Sequence, residues 1–281
     1  MANVTFETLN PNAPLFSELK SGNYSWWENI KNDSRLYIEI RKDNYINVYF
    51  EGGNVAKLEY RSKDNTIQTS THSKYLYGYG TGYVECSLDK DKDLETIIKN
   101  IQKYYSKTKD EKEKEKEKGK EKEEWSEKYI QSQYIINYRS KYIDSEFAYK
   151  DDSFDIRVDL IECINGELRF VELKTIDDGR MLKKTDDNPE VVEQVKAYKN
   201  FISKYNQKEK IVKYYQKVWE IKKDLGLTIP EKCPSSLAEK PLLLIFNRWT
   251  KSTRRDKHTN RMEKILLKNK DIIDYKITSE I

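Results

Sequence analysis

Cysteine and histidine are nearly missing from this chain, and most of the chemistry that depends on them is missing with them. Three cysteines, Cys86, Cys163 and Cys233, lie far apart with no CxxC pair, so the sequence offers neither a disulfide framework nor a cysteine zinc site. Two histidines, His72 and His258, are too few for histidine-based zinc chemistry. Long apolar runs are missing as well. The longest, such as 241–246 (PLLLIF), fall far short of the roughly 20 residues that a membrane span takes. The opening MANVTFETLNPN has no basic or apolar region of a secretory signal. These absences point to a cytoplasmic protein with no membrane partner, in which any metal is held by carboxylates.

A strong excess of one charge sign is lacking too. The 52 basic and 48 acidic residues leave a net charge of +4 over 281 residues, so a nucleic-acid partner has to be argued from local patches. The charge is unevenly spread. Residues 109–124 (KDEKEKEKEKGKEKEE) hold seven lysines and eight acids and can bury no apolar face. They read as a solvated helix with i,i+4 pairs or as a flexible linker. Ile, Val, Leu and Tyr are plentiful elsewhere, so this is a globular chain carrying a charged insert. The insert divides it into a β-rich α+β domain (1–105), the charged segment (106–124) and an α/β domain (125–281).

In the first domain, 35–41 (RLYIEIR), 46–51 (INVYFE) and 55–61 (VAKLEYR) alternate apolar with polar residues, and 42–45 and 52–54 supply turns. That pattern predicts an antiparallel meander. Trp26 and Trp27 fall in a helix that packs on it. Leu94, Ile97, Ile98, Ile101 and Tyr104 have helical spacing over 93–105. Residues 75–83 (YLYGYGTGY) interleave four tyrosines with three glycines. They read first as a glycine-rich strand or loop with packed tyrosines, and second as a platform on which bases stack.

The chemistry lies after the insert. In 154–175 (FDIRVDLIECINGELRFVELKT), two strand-like runs flank Asn165-Gly166, the strongest two-residue hairpin signal, because a type I′ turn needs positive φ at both positions. With those residues as the loop, Ile164 pairs with Glu167 and Asp159 falls opposite Glu172. Lys174, two residues further, shares the face of Glu172. Facing carboxylates repel unless a cation lies between them, and they suit a hard, oxygen-seeking ion such as Mg²⁺ or Mn²⁺. Lys174 can orient or help deprotonate a metal-bound water. Val158, Leu160, Val171 and Leu173 form the other, buried side, which would turn the trio toward a cleft. A cross-strand salt cluster is the plainer alternative, and Glu-x-Lys also occurs at Glu18–Lys20 and Glu220–Lys222.

Asp186-Asp187-Asn188-Pro189-Glu190 is a helix start with a polar cap, Pro at the first position and an acidic first turn. The helix runs to about Tyr205 and buries Val191, Val195, Tyr198 and Ile202. Gln194 lies one turn before Tyr198, at the edge of that stripe.

Asp159, then Glu172-Leu173-Lys174, then Gln194-Val195-Lys196-Ala197-Tyr198 resembles the PD-(D/E)XK nuclease superfamily, in particular the Q-hydrophobic-x-x-Y signature of its RecB-like branch. The resemblance covers roughly residues 125–250. It implies a restriction-endonuclease-like core of mixed sheet with flanking helices (αβββαβ), with a helix over 124–142 before the hairpin and 241–247 as the later core strand. It further implies that Asp159, Glu172 and the Leu173 carbonyl hold Mg²⁺ or Mn²⁺, and that Lys174 activates the attacking water. Gln194 would organise the site, and Tyr198 would support its helix or touch the nucleic-acid backbone. Glu146 would be the helical upstream glutamate that some members use. No proline precedes Asp159, a departure from the full motif, and no iron–sulfur cysteine set is present.

Arg248, Lys251, Arg254 and Arg255 open a basic stretch running to Arg261, opposed only by Asp256. It reads either as a phosphate-gripping surface or as the solvated start of a helix. The function implied is divalent-metal-dependent hydrolysis of nucleic-acid phosphodiesters, DNA rather than RNA, as in restriction, phage defence, repair or mobile-element biology. A homodimer or an accessory protein would act through the N-terminal domain. The alternative is a catalytically inactive nuclease-like fold that binds nucleic acid or a protein partner.

Overall fold

The computed structural model describes residues 8–21, 24–89, 91–105, 126–181, 189–204, 206–248 and 253–281. The whole charged insert, the Asp186–Asn188 cap and Lys251 lie outside these. Among the described residues no helix is long and apolar enough to cross a membrane, and Cys86, Cys163 and Cys233 are free thiols.

The chain forms two compact units. One runs to Asn137 and also takes in Glu220–Leu227; the other comprises Tyr138–Trp219 and Thr228–Ile281. The first holds a five-stranded antiparallel sheet in the order β1-β2-β3-β4-β5: β1 (Tyr37–Arg41), β2 (Tyr45–Phe50), β3 (Gly53–Arg61), β4 (Thr66–His72) and β5 (Tyr83–Glu85). β1 to β3 are the expected meander. β4 and β5 are additions, since Thr66–His72 is a polar run without apolar alternation. Helices α1 (Pro14–Lys20), α2 (Ser25–Asn32), α3 (Ser73–Tyr77), α4 (Asp91–Tyr105) and α5 (Glu127–Asn137) complete the unit. Trp27 of α2 and Ile97, Ile98 and Ile101 of α4 are buried as their spacing predicts, whereas Tyr104 at the end of the α4 stripe is exposed. The helix expected over 124–142 is the shorter α5. It packs with this unit, against β1, so the leading helix expected of the second domain is not found there.

The second unit is built on a mixed sheet in the order β11-β10-β8-β7-β6. β6 (Tyr142–Lys150), β7 (Asp155–Ile164) and β8 (Glu167–Thr175) form an antiparallel meander. Helix α6 (Glu190–Ser203) and helix α7 (Gln207–Asp224) follow, the latter with no counterpart in the sequence reading. The chain then adds β9 (Ser236–Leu237) beside the start of β8, and β10 (Leu242–Phe246) parallel to its end. After α8 (Thr253–Lys268), β11 (Asp274–Thr278) pairs parallel to β10. All five residues of β10 are buried, as a central parallel strand covered on both faces requires. Val191, Val192 and Val195 of α6 pack with Leu243 and Ile245 of β10 and Met262 and Leu266 of α8. Phe147, Phe170, Phe201 and Tyr215 form an aromatic cluster beside them. The unit is thus α/β, with a mixed sheet and flanking helices.

Candidate active site

Asn165 and Gly166 adopt φ of 53° and 85°, the positive pair that a two-residue type I′ turn needs. The turn fixes the register. Ile164 pairs with Glu167, and the ladder runs back to Leu160 opposite Val171. Asp159 and Glu172 stand one step beyond. There the β7 ladder ends, while β10 pairs along the opposite edge of β8, with Glu172 beside Leu243 and Lys174 beside Ile245. The Asp159 carboxylate enters the gap and accepts the Leu173 backbone N–H at 2.8 Å.

The expected trio converges on the lysine. Lys174 Nζ contacts Glu172 Oε1, lies 3.5 Å from Asp159 Oδ2 and donates to the Leu173 carbonyl at 2.8 Å. Three oxygens therefore surround one cationic centre. The site differs from the expected open cleft: Glu172 is 0% and Lys174 1% exposed, and only the Asp159 side chain, 27% exposed, reaches the surface. The physical reason is α6, whose polar edge packs against this part of β8. Tyr198, itself 1% exposed, hydrogen-bonds the Glu172 carboxylate and the Arg157 carbonyl. Gln194 Nε2 donates to the Tyr198 hydroxyl at 2.9 Å. Gln194 thus reaches the carboxylates only through Tyr198. The expectation that Tyr198 touches nucleic acid is corrected to its other assigned role, support from inside the core.

Burial is the main cause that raises the Glu172 carboxyl, to about 7. The Asp159 charge adds to it, while Lys174 and the Tyr198 hydrogen bond oppose it. Asp159 is also raised, chiefly by burial, against the pull of Lys174 and the Leu173 amide. Two carboxylates in low dielectric facing one ammonium leave uncompensated negative charge, and both respond by holding protons more tightly. The Tyr198 phenol is raised by burial and by Glu172, so it remains a donor. With one proton between two acceptors, it leaves one oxygen–oxygen contact short of a hydrogen, a deficit that a protonated Glu172 fills.

Glu146 is on strand β6, not on a helix. Its neighbours Ser145 and Phe147 pair with Leu160 and Val158, which sets Glu146 across from Asp159. It is exposed, with φ of 56°, a backbone conformation that non-glycine residues seldom adopt, and its charge helps raise Asp159. Arg248 is committed elsewhere: its Nε and Nη2 grip Asp177 Oδ1 and Oδ2 at 3.1 and 2.8 Å in a fork-to-fork pair. Asp177 was not weighed in the sequence reading, because it lies close to Arg248 only once β8 and β10 are paired. Arg255 is half-buried on α8. Arg254 starts that helix, but its side chain lies outside the described residues, as does Lys251.

Among the described residues no set of three or more His, Cys, Asp or Glu is grouped to hold a metal ion. The donors here are instead two carboxylates and a backbone carbonyl. All are oxygens, the ligand type that hard dications select, and they gather around a positive charge supplied by the chain itself. No family model, curated protein or solved structure matches this chain.

Proposed function

We propose that this protein is a divalent-metal-dependent nuclease of the PD-(D/E)XK type, hydrolysing phosphodiester bonds of nucleic acid, DNA in preference to RNA. The observation that carries the reading is the convergence of the Asp159 and Glu172 carboxylates and the Leu173 carbonyl on Lys174 Nζ. A cation is already required there, and the same three oxygens would hold Mg²⁺ or Mn²⁺ once Lys174 withdraws. The element order supports it as well: three antiparallel strands, a helix bearing Gln194 and Tyr198 and, after α7 and the short β9, a strand parallel to the third, which resembles the βββαβ portion of the expected core with α7 and β9 added.

Bound in that position, the metal would supply a Lewis acid and an activated water. Asp159, the exposed member, faces the entering phosphate. Lys174, if displaced from between the carboxylates, would offer its ammonium to the attacking water and to the charge that grows on the phosphate. Tyr198 holds Glu172 in place from beneath, and Gln194 holds Tyr198. The deep burial of Glu172 and Lys174 favours one other reading, a catalytically silent ion cluster in a protein that only binds.

Cleavage of single-stranded DNA, duplex DNA and RNA, compared in Mg²⁺, Mn²⁺ and EDTA for the wild type and Lys174→Ala, tests the proposal. Metal-dependent cutting that the substitution reduces by at least about 10²-fold is expected. Equal cutting by both proteins, or none by either, overturns it.

A further inference from the structure

The tyrosines of residues 75–83 divide sharply. Tyr75 is 4% exposed, whereas Tyr77, Tyr79 and Tyr83 are 55%, 74% and 60% exposed. With Tyr104, at 52%, they make up most of the exposed large hydrophobic side chains among the described residues. Apolar surface concentrated in this way marks a contact site more often than chance.

This exposure does not come from a frayed loop. The Ser73 backbone N–H donates to the Gly82 carbonyl at 2.9 Å, closing the loop at its base, and the Gly78 N–H donates to the Lys74 carbonyl at 3.1 Å. Asn100 Nδ2 of α4 donates to the Tyr75 carbonyl at 2.8 Å, fixing the buried tyrosine. Gly80 has φ of 99°, and a Cβ there would come within 2.7 Å of Ser73 Oγ, so the closed path needs glycine. The backbone is pinned while the rings stand in solvent. The Tyr77 and Tyr79 centroids are 6.3 Å apart with planes at 35°, too far and too tilted to cover each other's faces.

The local charge selects the kind of partner. From Asn65 to Val84 there is no acidic residue, in a chain with 48 of them. Lys74 Nζ sits 4.7 Å from the Tyr75 ring centroid and 4.9 Å from that of Tyr104. Lys99 and Lys103 are exposed along the end of α4, the helix against which α3 packs. Separated aromatic faces beside lysines match an unpaired strand, whose bases stack on rings and whose phosphates seek ammonium groups. A duplex, with its bases stacked inside, presents no such free faces along its length.

We propose that the segment from the end of α3 to the start of β5, which carries Tyr77, Tyr79 and Tyr83, is a base-stacking surface for single-stranded nucleic acid. The choice of nucleic acid as occupant rests on the nuclease reading, but the surface does not depend on turnover. The test is binding in EDTA, by fluorescence anisotropy, of labelled oligo(dT), an abasic strand of equal length and a duplex. The proteins are the full-length wild type, the triple variant Tyr77→Ala/Tyr79→Ala/Tyr83→Ala and the matching triple to Phe. The wild type is expected to prefer oligo(dT). The alanine triple should lose at least about tenfold on oligo(dT) but little on the abasic strand, and the phenylalanine triple should bind as the wild type does. Equal wild-type affinity for oligo(dT) and the abasic strand, an unaffected alanine triple, or no binding of oligo(dT) overturns the inference. Wild-type binding without metal-dependent cleavage would remove the nuclease reading and leave this surface standing; cleavage with an unaffected alanine triple would do the reverse.

Discussion

Two pairs of glutamate and lysine, each separated by one residue on a strand, sit in the two sheets and meet different fates. On β3, Lys57 Nζ reaches Glu59 Oε1 at 2.7 Å with side chains 31% and 46% exposed. On β8, Glu172 and Lys174 make the same kind of contact with 1% exposure each. The first pair lies on a sheet in which burial alternates, so water solvates what the partner does not. The second lies on a strand buried from Phe170 to Thr175, where each charge depends on its protein neighbours. Identical chemistry is incidental in one sheet and consequential in the other, because the cost of an unpaired charge scales with desolvation.

The comparison breaks most directly at Lys174. Lys174→Ala leaves two carboxylates buried without their cation and is expected to cost about 3–5 kcal/mol in urea denaturation in EDTA. Millimolar Mg²⁺ or Mn²⁺ should return part of that loss if the three oxygens accept a metal. An unchanged midpoint in both conditions would place the pair in the same class as Lys57–Glu59.

The next effect is on pH dependence. The folded-state carboxyl of Glu172 is raised from 4.5 to about 7, so the folded protein holds the proton that the unfolded chain releases first. The stability that this group contributes is therefore fully present below about pH 4.5 and is lost as pH rises through about 7, by roughly 3 kcal/mol; Asp159, raised as well, contributes in the same direction. Glu172→Gln should flatten that decline. A denaturation series showing the same slope in the variant would mean that Glu172 is ionised throughout.

Smaller still is Arg248→Ala, which frees a partly buried Asp177 and should cost about 2 kcal/mol. The salt dependence of oligonucleotide binding should hardly change, because the guanidinium already grips Asp177; a flatter slope would make it a phosphate contact after all. At the low end, Glu59→Ala on the solvated sheet should change stability by less than about 1 kcal/mol.

Much of this was legible in the chain. Asn165-Gly166 set the β7–β8 register, since a two-residue turn with positive φ at both positions matches the twist of the strands it joins. The apolar spacing of α4 and α6 gave most of the residues they bury; it wrongly included Tyr104 and left out Val192 and Phe201. The closure of the site was not legible, because Glu172 and Lys174 alternate with Val171 and Leu173 just as solvent-facing residues would. A strand buried on both faces differs from one buried on a single face only through what packs on the second face, here α6. Glu146 was expected on a helix through the family resemblance alone; it lies on β6 in a left-handed conformation that Glu rarely takes.

The sequence by itself determined the elements with clear periodicity, β1 to β3, β7, β8, α4 and α6, together with the hairpin register, because turn preference and periodicity act over a few residues. Tertiary structure decided which residues share a low-dielectric space. It drew Lys174 between Asp159 and Glu172, committed Tyr198 inward and Arg248 to Asp177, and left Tyr77, Tyr79 and Tyr83 in water. Charge pairing and the covering of a second face are set by contacts between segments far apart in the chain, and no local pattern encodes them.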